Sequence, residues 1–229
     1  GYERPKCMLP AHGRSVFAHA VGSFDAYRDS VPFLFVVRDV AGTVDFVRAE
    51  CAAMGIARAE VAVVDEPTRG QAETVAIGLD RARVPDGEPV TIFNIDTFRP
   101  GFRFPDFGGR PTDGYLEVFR GSGDNWSYVR PARDGDDAVA ETAEKRPISD
   151  LCCTGLYHFG SAGMYRADYA VFANGFAPSA ALRELYVAPM YNLSIRAGRT
   201  IRYARIEASE VVFCGVPAEY KAFLRAPPP

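Results

Sequence analysis

Lysine is the scarcest of the charged residue types here: only three of the 26 basic residues in this 229-residue chain are lysine. Arginine meets nearly every other need for positive charge. A compact ammonium and a planar guanidinium are not interchangeable at a tight phosphate site, so Lys6 and Lys145, each inside a segment suited to holding phosphate, are the first candidates for chemistry. The plain alternative is two surface lysines left by chance. A broad basic surface is missing as well: the net charge is -3 and the pI near 5.7, so any polyanion bound is small and a nucleic-acid partner is not expected. No run approaches the length of about 20 apolar residues that crosses a bilayer, and no charged-then-apolar leader opens the chain. Neither membrane insertion nor secretion is expected, and the chain reads as cytoplasmic. There is no CxxC pair. Five cysteines, Cys7, Cys51, Cys152, Cys153 and Cys214, lie scattered in apolar surroundings, which suits reduced core thiols. Cys152 and Cys153 are adjacent and would point to opposite faces of a strand, which disfavours a shared metal ion. The three histidines, His12, His19 and His158, have no acid or nucleophile at recognisable spacing, so a histidine-based nucleophilic mechanism is not supported.

With 48% hydrophobic residues, the chain can bury one substantial core, and a single domain over 1–229 is the expectation. A continuous apolar run at 32–37 reads as a strand buried on both faces. The helical spacing of Val44, Val47, Cys51 and Met54, stopped by Gly55, reads as a helix. A strand at 60–64, a helix at 71–82 and a strand at 89–95 follow. This strand-helix rhythm predicts an α/β fold with a mixed, mostly parallel sheet flanked by helices, whose post-strand loops share one edge. From 99 to about 150 the chain is turn-rich, with strand composition at 115–119 and 126–129, and reads as an inserted, partly antiparallel segment. After it come a strand at 151–159, a helix at 180–196, strands at 200–206 and 210–214, and a closing helix at 218–224. The final prolines read as a frayed tail.

Four segments carry candidate chemistry. Pro5 and Pro10 bracket Lys6 in an apolar stretch, fixing the path of the chain and the direction of the ammonium; a fixed cation suits a di- or triphosphate, and the alternative is an incidental surface lysine. Glu66 to Thr74 is a strand-to-helix turn with Gly70 where backbone approaches closely and Gln71 in the first helical turn. Free amides at a helix start attract phosphate or carbonyl oxygens, and a glutamine amide matches a nucleobase edge, although an ordinary helix cap reads the same and the glycine spacing of a P-loop is missing. Asn94-Ile95-Asp96 ends a buried strand with a carboxylate, which is costly there unless paired or on a metal; hard oxygen ligands suit Mg2+ carrying a nucleotide's phosphates. Glu144 and Lys145 sit side by side at a strand end, within reach of a polyol and its phosphate respectively, or form a simple exposed charge pair.

Taken in order, Pro5-Lys6-Cys7-Met8-Leu9-Pro10, Arg69-Gly70-Gln71-Ala72-Glu73, Asn94-Ile95-Asp96, Glu144-Lys145-Arg146-Pro147, Thr154-Gly155-Leu156-Tyr157 and Cys214-Gly215-Val216-Pro217 resemble the stations of the sugar-phosphate nucleotidyltransferases, the pyrophosphorylases that make nucleotide sugars. The likeness spans nearly the whole chain. It implies a Rossmann-like (GT-A-like) fold and a Mg2+-dependent transfer from a nucleoside triphosphate to a phosphorylated small acceptor, with release of pyrophosphate. By that resemblance Lys6, Asp96 and Lys145 carry the catalysis around one polyphosphate. Lys6, Gly70, Gln71 and Asn94 hold the nucleotide, Asp96 the metal, and Glu144, Lys145 and Gly155 the acceptor. The chain departs from the pattern twice. The Gly-rich loop would precede Gly1, so a segment is expected upstream, and Phe213-Cys214 stands where relatives often carry a second metal-binding Asp. Gly70 to Thr74, Asp113 to Glu117 and Gly123 to Trp126 are similar to a branch tied to bacterial capsule and surface-polysaccharide synthesis, with Trp126, Tyr128 and Arg130 expected to shape the acceptor side.

Two other readings stay open. One is a nucleotide-sugar-dependent glycosyltransferase of related fold, against which stands Asn94 in place of the first carboxylate of an Asp-x-Asp. The other is a non-catalytic nucleotide-binding homologue, favoured by the missing second aspartate. Base, acceptor and self-association into a homo-oligomer are not legible.

Overall fold

The computed structural model describes residues 4–178 and 183–227. In chain order the first elements are β1 (Pro10–Ala11), β2 (Arg14–Ser15), α1 (Val16–Gly22), β3 (Phe33–Val37), α2 (Thr43–Ala53), β4 (Ala59–Val63), α3 (Gln71–Arg81), β5 (Val90–Ile92) and β6 (Thr97–Phe98). There follow β7 (Gly114–Arg120), β8 (Ser127–Pro131), β9 (Val139–Glu144), β10 (Leu151–Phe159), α4 (Ala162–Asn174), α5 (Tyr191–Arg196), β11 (Ile201–Ile206), β12 (Val212–Phe213) and α6 (Pro217–Arg225). Among the described residues no helix is long and apolar enough to cross a membrane, and all five cysteines are free thiols.

The chain divides into two compact units. The first takes the described residues up to Pro67, Asn94–Phe104 and those from Ser209 onward; the second takes Thr68–Phe93 and Pro105–Ala208. The stretch expected as an insert from 99 is thus divided, its first residues belonging to the first unit.

In the first unit, β3 and β4 pair in parallel, Phe33 opposite Ala59 through Val37 opposite Val63. Helix α1 starts at Ser15, whose side-chain oxygen accepts the Ala18 N–H at 3.0 Å, the usual way a helix start satisfies an orphan donor. The apolar stripe of α2, with Val44, Val47 and Cys51 buried, meets Phe17 and Val21 of α1 and, from the strands, Phe33, Phe35, Val37 and Val61. That is the core of this unit. Two short strands, β6 and β12, pair antiparallel, Phe213 opposite Thr97, and bring residues near 96 and 214 together.

In the second unit a six-stranded sheet runs β11-β7-β10-β8-β9, with β5 also on β10. Strand β10 is buried at eight of its nine positions, as an apolar run between neighbours should be. It pairs antiparallel with β7 along one edge; its other edge meets β8 at Cys152 and β5 at 157–159. The register with β7 slips between Cys153 and Tyr157, a bulge that contains Gly155 at φ +95°, where a residue with Cβ is strained. Tyr191 of α5 stacks on Phe159 with ring centroids 4.4 Å apart, and Tyr165 of α4 donates to the Ala72 carbonyl at 2.7 Å.

The fold is the expected mixed α/β class, with a central mixed sheet flanked by helices. The described ladders are parallel at β3–β4 and β7–β11 and antiparallel elsewhere, so pairing is more antiparallel than the strand-helix rhythm implies: β7 to β10 are joined without intervening helices. The helix expected over 180–196 is corrected. Residues 179–182 lie outside the described residues; 183–187 are not helical, Ala188–Met190 is a 3₁₀ turn and only Tyr191–Arg196 is α-helix. Pro189, lacking an N–H, sits early in the 3₁₀ turn ahead of the α-helix rather than inside it. The strand expected at 210–214 shrinks to Val212–Phe213, because Glu210 belongs to a preceding 3₁₀ turn. Helix α4 adds to the elements read from sequence, and β9 runs from Val139 to the strand end expected at Glu144.

Candidate functional site

In the first unit three distant motifs meet. The Lys6 ammonium donates to Asp96 Oδ2 at 2.9 Å and also to the Gly215 carbonyl, while the Cys214 N–H donates to the Asp96 carbonyl at 2.8 Å. The side chains of Lys6 and Asp96 are 40% and 27% exposed, an exposure at which an ion pair adds about 0–1 kcal/mol. The pair therefore does little for stability and is reachable by solutes. Asp96 lies in the turn after β5 rather than on the strand, and Lys6 answers the cost of its charge.

The turn at 214–217 is fixed from the far side by Glu219, whose Oε2 accepts the N–H groups of Gly215 at 2.7 Å and Val216 at 3.1 Å. A Cβ on Gly215 would lie 3.4 Å from Glu219 Oε2 and 3.7 Å from Asp96 Oδ2, so both carboxylates border this glycine. Cys214 is fully buried; burial first, then the neighbouring carboxylates, push its thiol up to about 11. It stays a neutral thiol at pH 7. Sequence reasoning missed Glu219, although an acid two residues after a helix-opening proline is a capping signal.

The donor set is spare: among the described residues no group of three or more His, Cys, Asp or Glu is placed to hold a metal ion. One carboxylate at a solvent-reachable turn suits Mg2+, which takes one or two protein carboxylates and completes its octahedron with waters and substrate phosphates. Asp96 fits that role, while Glu219 Oε2 is already committed to two amides.

The remaining candidates, Asn94 excepted, belong to the second unit. Gly70 precedes α3 with φ +146°, and its bare face lies against the Leu185 backbone: a Cβ there would be 2.7 Å from both Leu185 N and O. The close approach expected at Gly70 is therefore made by the protein itself. The Ala72 N–H donates to the Leu185 carbonyl at 2.8 Å, so the amides at this helix start are not all free, a correction to the sequence reading. Gln71 is half-buried at the first position of α3, and Asn94, half-buried in the first unit, is two residues from Asp96.

Glu144 ends β9 and Lys145 follows it with φ +53°, a left-handed conformation that costs an ordinary side chain. Ser127 Oγ of β8 donates to Glu144 Oε2. Burial pushes the Glu144 carboxyl up, opposed by that hydrogen bond and by the Lys145 charge. The Lys145 ammonium donates to the Tyr186 hydroxyl at 2.7 Å, which first of all raises its pKa. At the Gly155 bulge, Thr154 Oγ1 donates to Glu117 Oε1 at 3.0 Å, and both residues are buried. Trp126 packs edge-on against Phe119, Tyr128 is buried and donates to the Gly123 carbonyl, and Arg130 pairs with Glu141. The histidines are structural: His19 is buried in the first unit, and His158 is driven down to about 4 by burial.

The structure thus joins Lys6 to Asp96, and separately places Glu144 beside Lys145 in the same unit as Gly70, Gln71 and Gly155. One half offers a cation and a hard carboxylate to a phosphate and its counter-ion. The other offers a half-buried carboxyl to hydroxyl groups and an aimed ammonium to an anion. The class the fold defines is that of α/β proteins with a mixed sheet flanked by helices, and each unit carries its own cluster of charged side chains.

No family model matches the chain, and no curated protein does. Among solved structures, a nucleoside-diphosphate-sugar pyrophosphorylase from Vibrio cholerae is 48% identical, over 99% of this chain and 93% of that one, with TM-score 0.92. An inositol-1-phosphate CTP transferase from T. maritima (12% identical, 96% of this chain and 85% of that one, TM-score 0.71) and a CTP:phosphocholine cytidylyltransferase from Streptococcus pneumoniae (11%, 97% and 89%, 0.62) share the fold. The chain belongs to the sugar-phosphate nucleotidyltransferase superfamily, that of the nucleotide-sugar pyrophosphorylases.

Proposed function

We propose that this protein joins a nucleoside triphosphate to a phosphorylated small acceptor and releases pyrophosphate. The observation that carries the reading is the meeting of Lys6, Asp96 and the Gly215 carbonyl from three motifs up to 209 residues apart, in a chain 48% identical to a protein described as a pyrophosphorylase. The names of the more distant neighbours, which act on inositol 1-phosphate and phosphocholine, support an acceptor that is a sugar phosphate or a small phosphorylated non-sugar.

In this reading an acceptor phosphate oxygen attacks the α-phosphorus, a new P–O bond forms, the bond to the β-phosphate oxygen breaks, and pyrophosphate leaves with the electron pair. No protein nucleophile is needed. What the chain must do is align two anions that repel each other and offset the developing charge. Lys6 holds the triphosphate, Gly70, Gln71 and Asn94 the base and ribose, Lys145 the acceptor phosphate, Glu144 its hydroxyls, and Gly155 lines the acceptor pocket. Asp96 would hold Mg2+ together with the phosphates, and that ion supplies charge neutralisation. The product is proposed as an activated precursor of capsule or surface polysaccharide, supported by the wording of the segments at 70–74, 113–117 and 123–126.

The test is pyrophosphate release by the full chain with each triphosphate, Mg2+ and a panel of phosphorylated acceptors. Release that requires both substrates is expected. Lys6→Arg and Lys145→Arg should each lower kcat/KM about 100-fold. Nucleoside diphosphate released from a nucleotide sugar would support a glycosyltransferase instead, and nucleotide binding without turnover a non-catalytic homologue.

A further inference from the structure

The short stretch at 183–187, expected as helix, runs instead beside the turn that opens α3. Leu185 donates its N–H to the Arg69 carbonyl and accepts the Ala72 N–H, both at 2.8 Å. These bonds clamp Leu185 to the two flanks of Gly70, and only a residue without Cβ lets the backbones come so close. The next residue reaches the acceptor lysine: the Lys145 ammonium lies 2.7 Å from the Tyr186 hydroxyl and 4.7 Å from the centre of its ring. The Lys145 N–H is also bonded, to the Trp126 carbonyl at 2.9 Å. Backbone and ammonium are both held, and a continuous path of contacts runs from the 69–72 turn through Leu185 and Tyr186 to Lys145.

We infer that Tyr186 is a positioning residue that aims the Lys145 ammonium at the acceptor phosphate, and that the Leu185 clamp ties this aim to the turn carrying Gly70 and Gln71. The inference rests on the reading of Lys145 as the group that holds that phosphate. A free lysine side chain loses rotamer freedom when it binds, and one already docked loses less, so pre-docking favours acceptor binding. Glu144, Glu184 and Tyr186 are the ionisable groups facing Lys145. The Tyr186 hydroxyl is the group that takes the hydrogen bond from the ammonium, with the two carboxylate charges acting behind it.

Tyr186→Phe removes the hydroxyl and keeps the ring; Tyr186→Ala removes both. With acceptor varied at saturating triphosphate, Tyr186→Phe should raise the acceptor KM about tenfold, the scale of a hydrogen bond to a charged group, while kcat and the triphosphate KM stay within about twofold. A merely structural role would lower thermal stability and kcat and shift both KM values together. A second readout needs no turnover. With only three lysines in the chain, reductive methylation with 13C gives a spectrum in which Lys145 is assigned by Lys145→Arg and exposed Lys221 serves as the free reference. The Lys145 signal should stand apart from that of Lys221 and move in Tyr186→Phe while the other two stay. An unchanged acceptor KM, or a Lys145 signal that matches Lys221 and ignores Tyr186, overturns the inference while leaving the proposed activity intact. Failure of the wild-type protein to release pyrophosphate with any acceptor removes the activity, and the positioning role falls with it.

Discussion

Gly70 and Lys145 both sit at positive φ, +146° and +53°, for different reasons. At Gly70 the requirement is steric as well as torsional: an alanine Cβ would overlap Leu185 N and O at 2.7 Å, so one of the two backbones must move. Gly70→Ala is expected to cost roughly 2–4 kcal/mol, the sum of left-side backbone strain and an overpacked contact, measured by chemical denaturation. Because the displaced segment carries Tyr186, the surviving enzyme should also show a raised acceptor KM. An alanine variant as stable as the parent would mean that Leu185 is not held against this turn. At Lys145 the requirement is torsional. This residue alone among the candidate residues with a side chain occupies the left-handed region, and strain of this kind concentrates where a group must be presented in one direction.

At the scale of elements, most strands and helices of the first hundred residues were legible, because an apolar run bounded by proline or glycine and an apolar stripe at helical spacing report burial directly. Helix α4 was not. Its pattern is inverted at two places: Asp168 is buried, with Ser194 and Arg199 as partners, while Val171 is 60% exposed. Strand β9 was legible only at its end, where Glu144 closes it; its earlier residues break the apolar pattern, since Thr142 is buried and hydrogen-bonded to the Ala188 carbonyl. The site divides likewise. Lys6, Asp96, Glu144 and Lys145 could be singled out because residue type and motif order mark them. Ser127, Tyr186 and Leu185 could not, because each acts through a contact distant in sequence that no local pattern announces; Glu219 carries a local capping signal after Pro217, but nothing local ties that cap to Lys6. Glu219 gives the test at this scale: its carboxylate caps the start of α6 by taking two amides of the turn whose carbonyl binds Lys6. Glu219→Ala should lower stability by about 1 kcal/mol, roughly 2–4 °C in Tm for a chain of this size, and raise the triphosphate KM several-fold. Glu219→Gln, which keeps an acceptor oxygen, should lose less of both. Loss of stability with an unaltered triphosphate KM would separate the cap from the Lys6 site.

For the molecule as a whole, the question is whether metal belongs to the fold or arrives with the substrate. Each unit is closed by its own apolar contacts, Phe17, Val47 and Cys51 in one and Phe159, Tyr165 and Tyr191 in the other, and among the described residues no cluster of three or more liganding side chains stands in reserve. A chelator should therefore leave Tm unchanged to within about 1 °C. The net charge of -3 gives no general attraction for a triphosphate, so on the proposed function its binding would come from local groups, among which Asp96 would contribute only by way of a cation. Triphosphate with Mg2+ at about 100 times its Kd should stabilise the protein by about 2.7 kcal/mol, roughly 5–10 °C in Tm. With chelator present, the Asp96 carboxylate repels the bare phosphates and most of that gain should vanish. In Asp96→Asn the repulsion is gone along with the ligand, so the stabilisation should become small and nearly indifferent to Mg2+. A full shift in chelator would detach Asp96 from any metal-bearing role, whereas a fall in Tm on chelation alone would place a metal in the fold itself.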